Sequence, residues 1–127
     1  MCELELEDKL QLLKDGLTEL AIEIGDTQIS PKSLSLLCLD FEVPVDIRNS
    51  WILEFRKLSD IEYEKYSSKE IISTFRNKMQ ERFDPAKYFS DLIVFSFIRA
   101  ISKNLVEELY PLSCLLEIEF SLTADLN

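Results

Sequence analysis

The stretch that decides the fold is DPAKYFSDLIVFSFIRAISKNLVEEL, residues 84–109, which contains the most apolar run of the chain. Its large apolar residues fall on almost every side of a helix, and a helix that is apolar all round is typical of a domain centre. The Asp-Pro pair at its start is typical of a helix N-terminus. The sequence therefore predicts a central helix over 86–109, with Phe95 and Ile98 in the core.

A second long helix is predicted at the start of the chain, over residues 3–24. Leucine or isoleucine recurs there at intervals of four and three residues, which indicates an amphipathic helix with one face against a core. Gly25 supplies a stop signal. The residues of this apolar face, called the leucine stripe below, are Leu6, Leu10, Leu13, Leu17, Leu20 and Ile24.

Three further helices are expected between these two. Ser30-Pro31 is a helix start for a short apolar segment, and Pro44 can open a helix that runs to about residue 58. Ser67 and Glu70 match the capping-box pattern, in which each residue bonds the backbone beside the other, and they predict a helix over 68–82.

Two segments stay open between strand and helix. Residues 39–47 alternate between apolar and polar, as a half-buried strand does, although Pro44 would restrict that strand to a sheet edge. Residues 116–122 alternate in the same way and could pair with residues 39–43. The predicted fold is a mainly α, compact single domain over 1–127, with about five helices around the central one and the option of a small two-strand element at 39–43 and 116–122.

The composition excludes several kinds of chemistry. The 127 residues include no histidine and two glycines. Without histidine there is no Ser-His or Cys-His nucleophile pair, and two glycines cannot form a glycine-rich phosphate loop. Cys2, Cys38 and Cys114 are too far apart for a CxxC zinc or redox motif. We therefore expect a protein that is not an enzyme and that needs no cofactor and no metal.

Cysteine usage and the N-terminus indicate a compartment. Two of the cysteines lie in apolar sequence, which is typical of buried free thiols in a reducing environment. The first residues, MCELELE, lack the basic start and apolar run of a signal peptide. The most apolar run, residues 92–101, is too short to cross a bilayer. We expect a cytoplasmic protein without membrane contact.

The net charge is −10, and residues 1–42 carry ten acids and three bases. On the first helix, acidic residues form a ridge roughly opposite the leucine stripe, with one leucine among them. A large apolar residue ringed by carboxylates is a candidate hot spot for a partner protein, although a solvated helix face has the same pattern. The candidate partner-binding residues, called the acidic ridge below, are Asp8, Leu12, Asp15, Glu19 and Glu23.

These features lead to two hypotheses on function. The first is a stoichiometric protein inhibitor, of the immunity-protein or antitoxin type, that neutralises a basic toxin or nuclease through its acidic surface without binding nucleic acid directly. The alternative is a small acidic dimeric chaperone or adaptor that holds an amphipathic segment of another protein. The sequence leaves monomer and homodimer open. A basic group of residues within 67–90 could meet the acidic first helix, in the same chain or in a second subunit.

Overall fold

The computed structural model describes residues 5–26, 31, 33–61 and 63–126. Within these residues there are six α-helices and no strand. Three short 3₁₀ turns, at 63–65, 84–88 and 107–109, join helices. The helices are α1 (Leu6–Glu23), α2 (Leu34–Asp40), α3 (Val45–Leu58), α4 (Ser68–Gln80), α5 (Asp91–Asn104) and α6 (Tyr110–Leu126).

The predicted central helix exists but is shorter than residues 86–109. The Asp-Pro pair opens a 3₁₀ turn, Asp84–Tyr88, instead of the helix itself. The α-helix begins at Asp91, because the Ser90 hydroxyl caps it by accepting a hydrogen bond from the Ile93 N–H at 3.2 Å. At its C-terminal end, the N–H groups of Leu105 and Val106 both donate hydrogen bonds to the Ile101 carbonyl.

Helix α5 is the centre of the molecule, as its composition predicts. Its side chains from Val94 to Ala100 are all buried, and Phe95 and Ile98 are completely enclosed. Helices α2, α3, α4 and α6 pack around it. The mainly α fold with a central apolar helix is therefore confirmed, and the described residues form six helices, the central one included.

Aromatic rings fill the space between α3, α4 and α5. Trp51 meets Phe97 edge to face, with ring centroids 5.3 Å apart, and Phe55 meets Phe75 in the same way at 4.8 Å. Such pairs are favourable because the positive edge of one ring faces the negative face of the other. The indole N–H of Trp51 donates to the Met79 carbonyl at 3.2 Å, so this buried polar group is satisfied.

The two-strand element does not form. The first segment ends helix α2, where Glu42 takes a left-handed conformation with φ 56° and the Val43 N–H donates to the Cys38 carbonyl at 2.8 Å. Without that segment the second has no strand partner, and it forms part of α6 instead. Leu112 and Leu116, one helical turn apart, are buried against α5.

The helix predicted from the capping box is confirmed. The Ser67 hydroxyl accepts from the Glu70 N–H at 3.2 Å, and the Glu70 carboxylate returns to the Ser67 backbone N–H. The helix that follows, α4, buries Phe75 and Met79. The helix expected after Pro44 is confirmed as α3. The start predicted at Ser30 lies outside the described residues, and the observed N-cap of α2 is Ser33.

None of the described helices combines the length and the apolar character that spanning a bilayer requires.

Candidate functional site

Helix α1 differs from α3, α4 and α5 because its apolar face is exposed. The side chains of the leucine stripe are between 52% and 70% exposed. Within α1, Ala21 is the one buried residue. The prediction that the stripe faces a core is therefore wrong for this chain taken alone.

The physical reason lies in how helices α2–α6, called the body below, pack together. The core between α3, α4, α5 and α6 is already filled by aromatic and aliphatic side chains from these helices. No space in it is left for the side chains of α1. Instead α1 packs against α2. This contact uses the small side chain of Ala21 and an ion pair between Lys14 and Asp40, with 3.7 Å between the Nζ and Oδ1 atoms. Both partners of the pair are partly exposed, so it adds little to stability.

The acidic ridge lies on a different side of α1. At 100° per residue, its members are centred about 140° around the helix axis from the leucine stripe. The contact with α2 occupies a third side, so neither surface is covered by the body. All five predicted site residues are exposed, and Leu12 is 58% exposed. The structure therefore brings the predicted residues together on one helix and leaves all of them open to solvent.

Few of the chain's own groups interact with the ridge carboxylates. Asp15 accepts a hydrogen bond from the Gln11 side-chain amide at 2.9 Å, one helical turn away. Among the described residues no lysine or arginine pairs with Asp8, Asp15, Glu19 or Glu23. The negative potential of this surface is therefore not neutralised by the part of the chain that the structure describes.

Three residues of the basic group within 67–90 form ion pairs away from α1. Arg76 of α4 pairs with Asp91, Lys78 pairs with Glu81 at 3.7 Å, and Lys87 pairs with Asp84 at 2.9 Å. The hydrogen bond and the charge of Asp84 raise the pKa of Lys87. The prediction that this group meets the acidic helix within the same chain is wrong for these three residues.

An apolar groove runs between α1 and α2. Its volume is about 500 Å³. One wall is formed by Leu17, Leu20 and Ile24 of the leucine stripe, and the other by Leu36 and Leu39 of α2. Leu39 is 49% exposed. The groove therefore extends the apolar surface of α1 onto the body of the protein.

The most polar buried group joins α5 to α6. The Arg99 guanidinium reaches Glu117 with 2.7 Å between Nη2 and Oε2, and it donates from Nη1 to the Ser113 hydroxyl at 2.8 Å. Burial alone would lower the pKa of Arg99, but the Cys114 hydrogen bond and the Glu117 charge leave it raised. Arg99 Nε has no hydrogen-bond partner among the described residues. Because the group is enclosed, it acts as a structural link between two helices.

The two described cysteines are free. Burial raises the pKa of the Cys38 thiol to about 11, against the opposing charge of Arg48. A thiol with this pKa stays protonated at neutral pH and is a poor nucleophile and metal ligand. Within the described residues there is no group of three or more side chains suited to hold a metal ion.

Sequence reasoning found the ridge but not the exposed stripe or the groove. A signal for the stripe was present. Its strict spacing of four and three residues marks the narrow seam of a coiled coil, whereas a helix against a globular core has a wider apolar face. No sequence pattern indicates that Leu36 and Leu39 lie beside the stripe, because that contact depends on how α1 meets α2.

Comparison with known proteins gave no match of significance to any family model, curated protein or solved structure.

Proposed function

We propose that the protein is a stoichiometric inhibitor that binds a basic partner protein, such as a toxin or nuclease, through the acidic ridge of α1. The observation that carries the proposal is the state of the ridge: its four carboxylates are exposed and unpaired by described basic residues, around an exposed Leu12. A cationic cleft could be covered by this surface. Long-range attraction would speed the encounter, and desolvation of Leu12 would slow dissociation.

The rest of the molecule supports a binding role rather than a catalytic one. The buried polar group at Arg99 is enclosed by its own helices, and the thiol of Cys38 is buried and protonated. Among the described residues, α1 therefore carries an exposed surface that combines an apolar stripe with an acidic ridge. A helix that the body leaves uncovered on two sides is suited to contact other proteins.

The test begins with capture of partners from an extract of the native host, followed by binding kinetics with the purified partner. Asp15→Lys combined with Glu19→Lys should slow association, because it removes long-range attraction to the basic partner. Association should also depend less on salt, since salt acts by screening that attraction, over about 10 Å at 0.1 M and about 3 Å at 1 M. Leu12→Ala should mainly raise the dissociation rate.

A matched control is available in the 3₁₀ turn at 107–109, which packs against α3, α5 and α6. Glu107 and Glu108 are exposed acidic neighbours in a 3₁₀ turn, so Glu107→Lys with Glu108→Lys changes the net charge equally. This control should keep most of the association rate. Equal effects from both double variants would show that total charge alone matters, and the proposal would be wrong. A partner that is not basic would also contradict it.

The second candidate, a small acidic adaptor or chaperone, is favoured by the groove between α1 and α2. An amphipathic helix of another protein could place its apolar face against Leu17, Leu20 and Leu39, as in helix-in-groove recognition. Substitutions in the groove would then abolish partner binding, whereas substitutions on the ridge would not. The two candidates therefore predict opposite results for Leu20→Asp and for the ridge reversals.

A further inference from the structure

We propose that the leucine stripe of α1 is covered by the same stripe of a second copy of the chain, with the two helices antiparallel. The inference goes beyond the proposed inhibitor role and does not depend on it, because the stripe and the acidic ridge are different faces of α1. Its starting observation is that all six stripe residues are more than half exposed, five of them within the 18-residue helix α1 and Ile24 directly after its end.

The register of the stripe fits antiparallel self-pairing. Its spacing of 4, 3, 4, 3 and 4 residues reads the same in both directions. When two copies run antiparallel about a two-fold axis, Leu13 lies opposite Leu17 of the second copy, and Leu10 lies opposite Leu20. Every stripe residue then meets another stripe residue, as in the apolar seam of a coiled coil.

The charges beside the stripe favour the antiparallel direction, with two attractive contacts against one repulsive contact. Lys9 and Glu23 flank the stripe on its ridge side, and both are exposed. In the antiparallel arrangement Lys9 of each copy lies near Glu23 of the other, which gives two attractive pairs. In a parallel pair, Lys9 would lie near Lys14 of the second copy, because flanking residues five positions apart meet across a parallel seam. This contact is repulsive. The antiparallel arrangement has one repulsive contact, between Lys14 of one copy and Lys14 of the other near the two-fold axis, and the pairing of each Lys14 with Asp40 of its own chain reduces it.

Gly16 lies next to the midpoint of the stripe, on the side that faces the acidic ridge. A glycine in the middle of a helix lowers helix stability, and nothing within the chain comes within 4 Å of a Cβ placed at this position. The monomer therefore offers no steric reason for glycine here. In the proposed pair Gly16 of each copy flanks the seam near its midpoint, where the absent side chain permits a close approach of the two helices.

The size of the stripe sets the expected strength of the pair. At roughly 60–120 Å² of apolar surface per leucine side chain, six side chains exposed by half or more present roughly 200–450 Å² per copy. The nearby Leu36 and Leu39 of α2 enlarge this surface. A stable interface covers about 800 Å² per partner, so we expect a dimer that dissociates on dilution.

The test measures molar mass by sedimentation equilibrium of the whole chain over roughly 1–300 µM, a range that a weak interface requires. The expected mass rises with concentration towards twice the 14.8 kDa of one chain. Leu13→Asp should keep the chain monomeric over the whole range. Leu12→Asp is the matched control: Leu12 and Leu13 are neighbours, 58% and 63% exposed, but Leu12 belongs to the ridge.

A charge exchange tests the direction without altering the stripe. Lys9→Glu should weaken the dimer, and adding Glu23→Lys should restore it, because the pair is rebuilt with its signs reversed. In a parallel dimer Lys9→Glu would instead strengthen association by attracting Lys14. Both residues are exposed, so neither change endangers folding.

A chain that stays monomeric at the highest concentration would overturn the proposal, as would equal effects of the Leu12 and Leu13 substitutions. Strengthening by Lys9→Glu would overturn the antiparallel arrangement. Failure of the inhibitor proposal is separate: the ridge reversals would then leave partner binding intact while the Leu13→Asp result is unaffected. Capture of a foreign amphipathic segment by a monomeric chain would assign the groove to the adaptor role.

Discussion

Helices α5 and α1 are both rich in large apolar residues, yet one is buried and the other exposed. In α5 the side chains from Val94 to Ala100 are all buried, whereas in α1 the leucine stripe is more than half exposed. The difference follows from the width of the apolar surface. A helix that is apolar on every side must be surrounded, but a single stripe can be covered by one other helix. The apolar pattern shows that a face needs covering, and it does not identify what covers it.

The largest contrast between the two helices is expected in stability. Phe95→Ala removes a completely buried ring and should lower the free energy of unfolding by about 3–5 kcal/mol. Leu13→Ala on α1 should change it by less than about 0.5 kcal/mol at concentrations where the chain is monomeric. Urea unfolding of both variants provides the measurement. Similar losses would mean that α1 packs against the body more than the structure shows.

The link between α5 and α6 should come next in size. Glu117→Gln leaves the Arg99 charge, whose side chain is 7% exposed, without its counter-ion, and should cost about 1–3 kcal/mol. The loss is smaller than for a fully buried pair because Glu117 is 32% exposed. Glu81→Gln, which breaks the surface pair with Lys78, is the control and should cost less than about 1 kcal/mol. Equal effects would place Arg99 in contact with solvent.

Alkaline pH should destabilise the protein outside α1, because the thiol of Cys38 and the hydroxyl of Tyr63, whose pKa values are raised by burial, both lie there. Burial raises the pKa of Cys38 from 9.0 to about 11 and the pKa of Tyr63 from 10.0 to about 12. Between each pair of values the folded state holds more protons than the unfolded state. Stability should therefore be complete below about pH 9 and fall as the pH rises towards 12.

Thermal unfolding at several pH values measures this dependence. Cys38→Ala and Tyr63→Phe should each reduce the loss of melting temperature between pH 9 and 11–12, because each removes one raised pKa. The Tyr63 hydroxyl donates to the Leu58 carbonyl, so Tyr63→Phe also lowers stability at neutral pH. A pH profile that neither substitution changes would show that other groups control alkaline unfolding.

The smallest effect is expected within α1. Gly16→Ala should stabilise this helix by about 0.5–1 kcal/mol, because a methyl group meets no atom within 4 Å. Amide hydrogen exchange at low protein concentration should show slower exchange in α1 and no change in α5. At high concentration the same substitution should weaken the proposed dimer. Faster exchange in α1 would contradict the open surroundings of Gly16.

The fold could be predicted well where local signals act alone. The capping box at Ser67 started α4 as expected, and the apolar run placed Phe95 and Ile98 in the core. The two alternating segments could not be resolved, because period two describes a strand only if a partner strand exists. The start of the long helix was predicted too early, because Ser90 competes with the Asp-Pro pair six residues before it and both are good N-terminal signals.

By itself, the sequence determined most of the helices and the character of each face: an apolar centre, a leucine stripe and an acidic ridge on the first helix. Spacing fixes these properties, since residues three and four apart share one side of a helix. The tertiary structure alone decided which faces are covered. The core closes around α5 without α1, so the leucine stripe stays open and its neighbours become Leu36 and Leu39. Packing depends on residues far apart in the chain, and no local pattern contains that information.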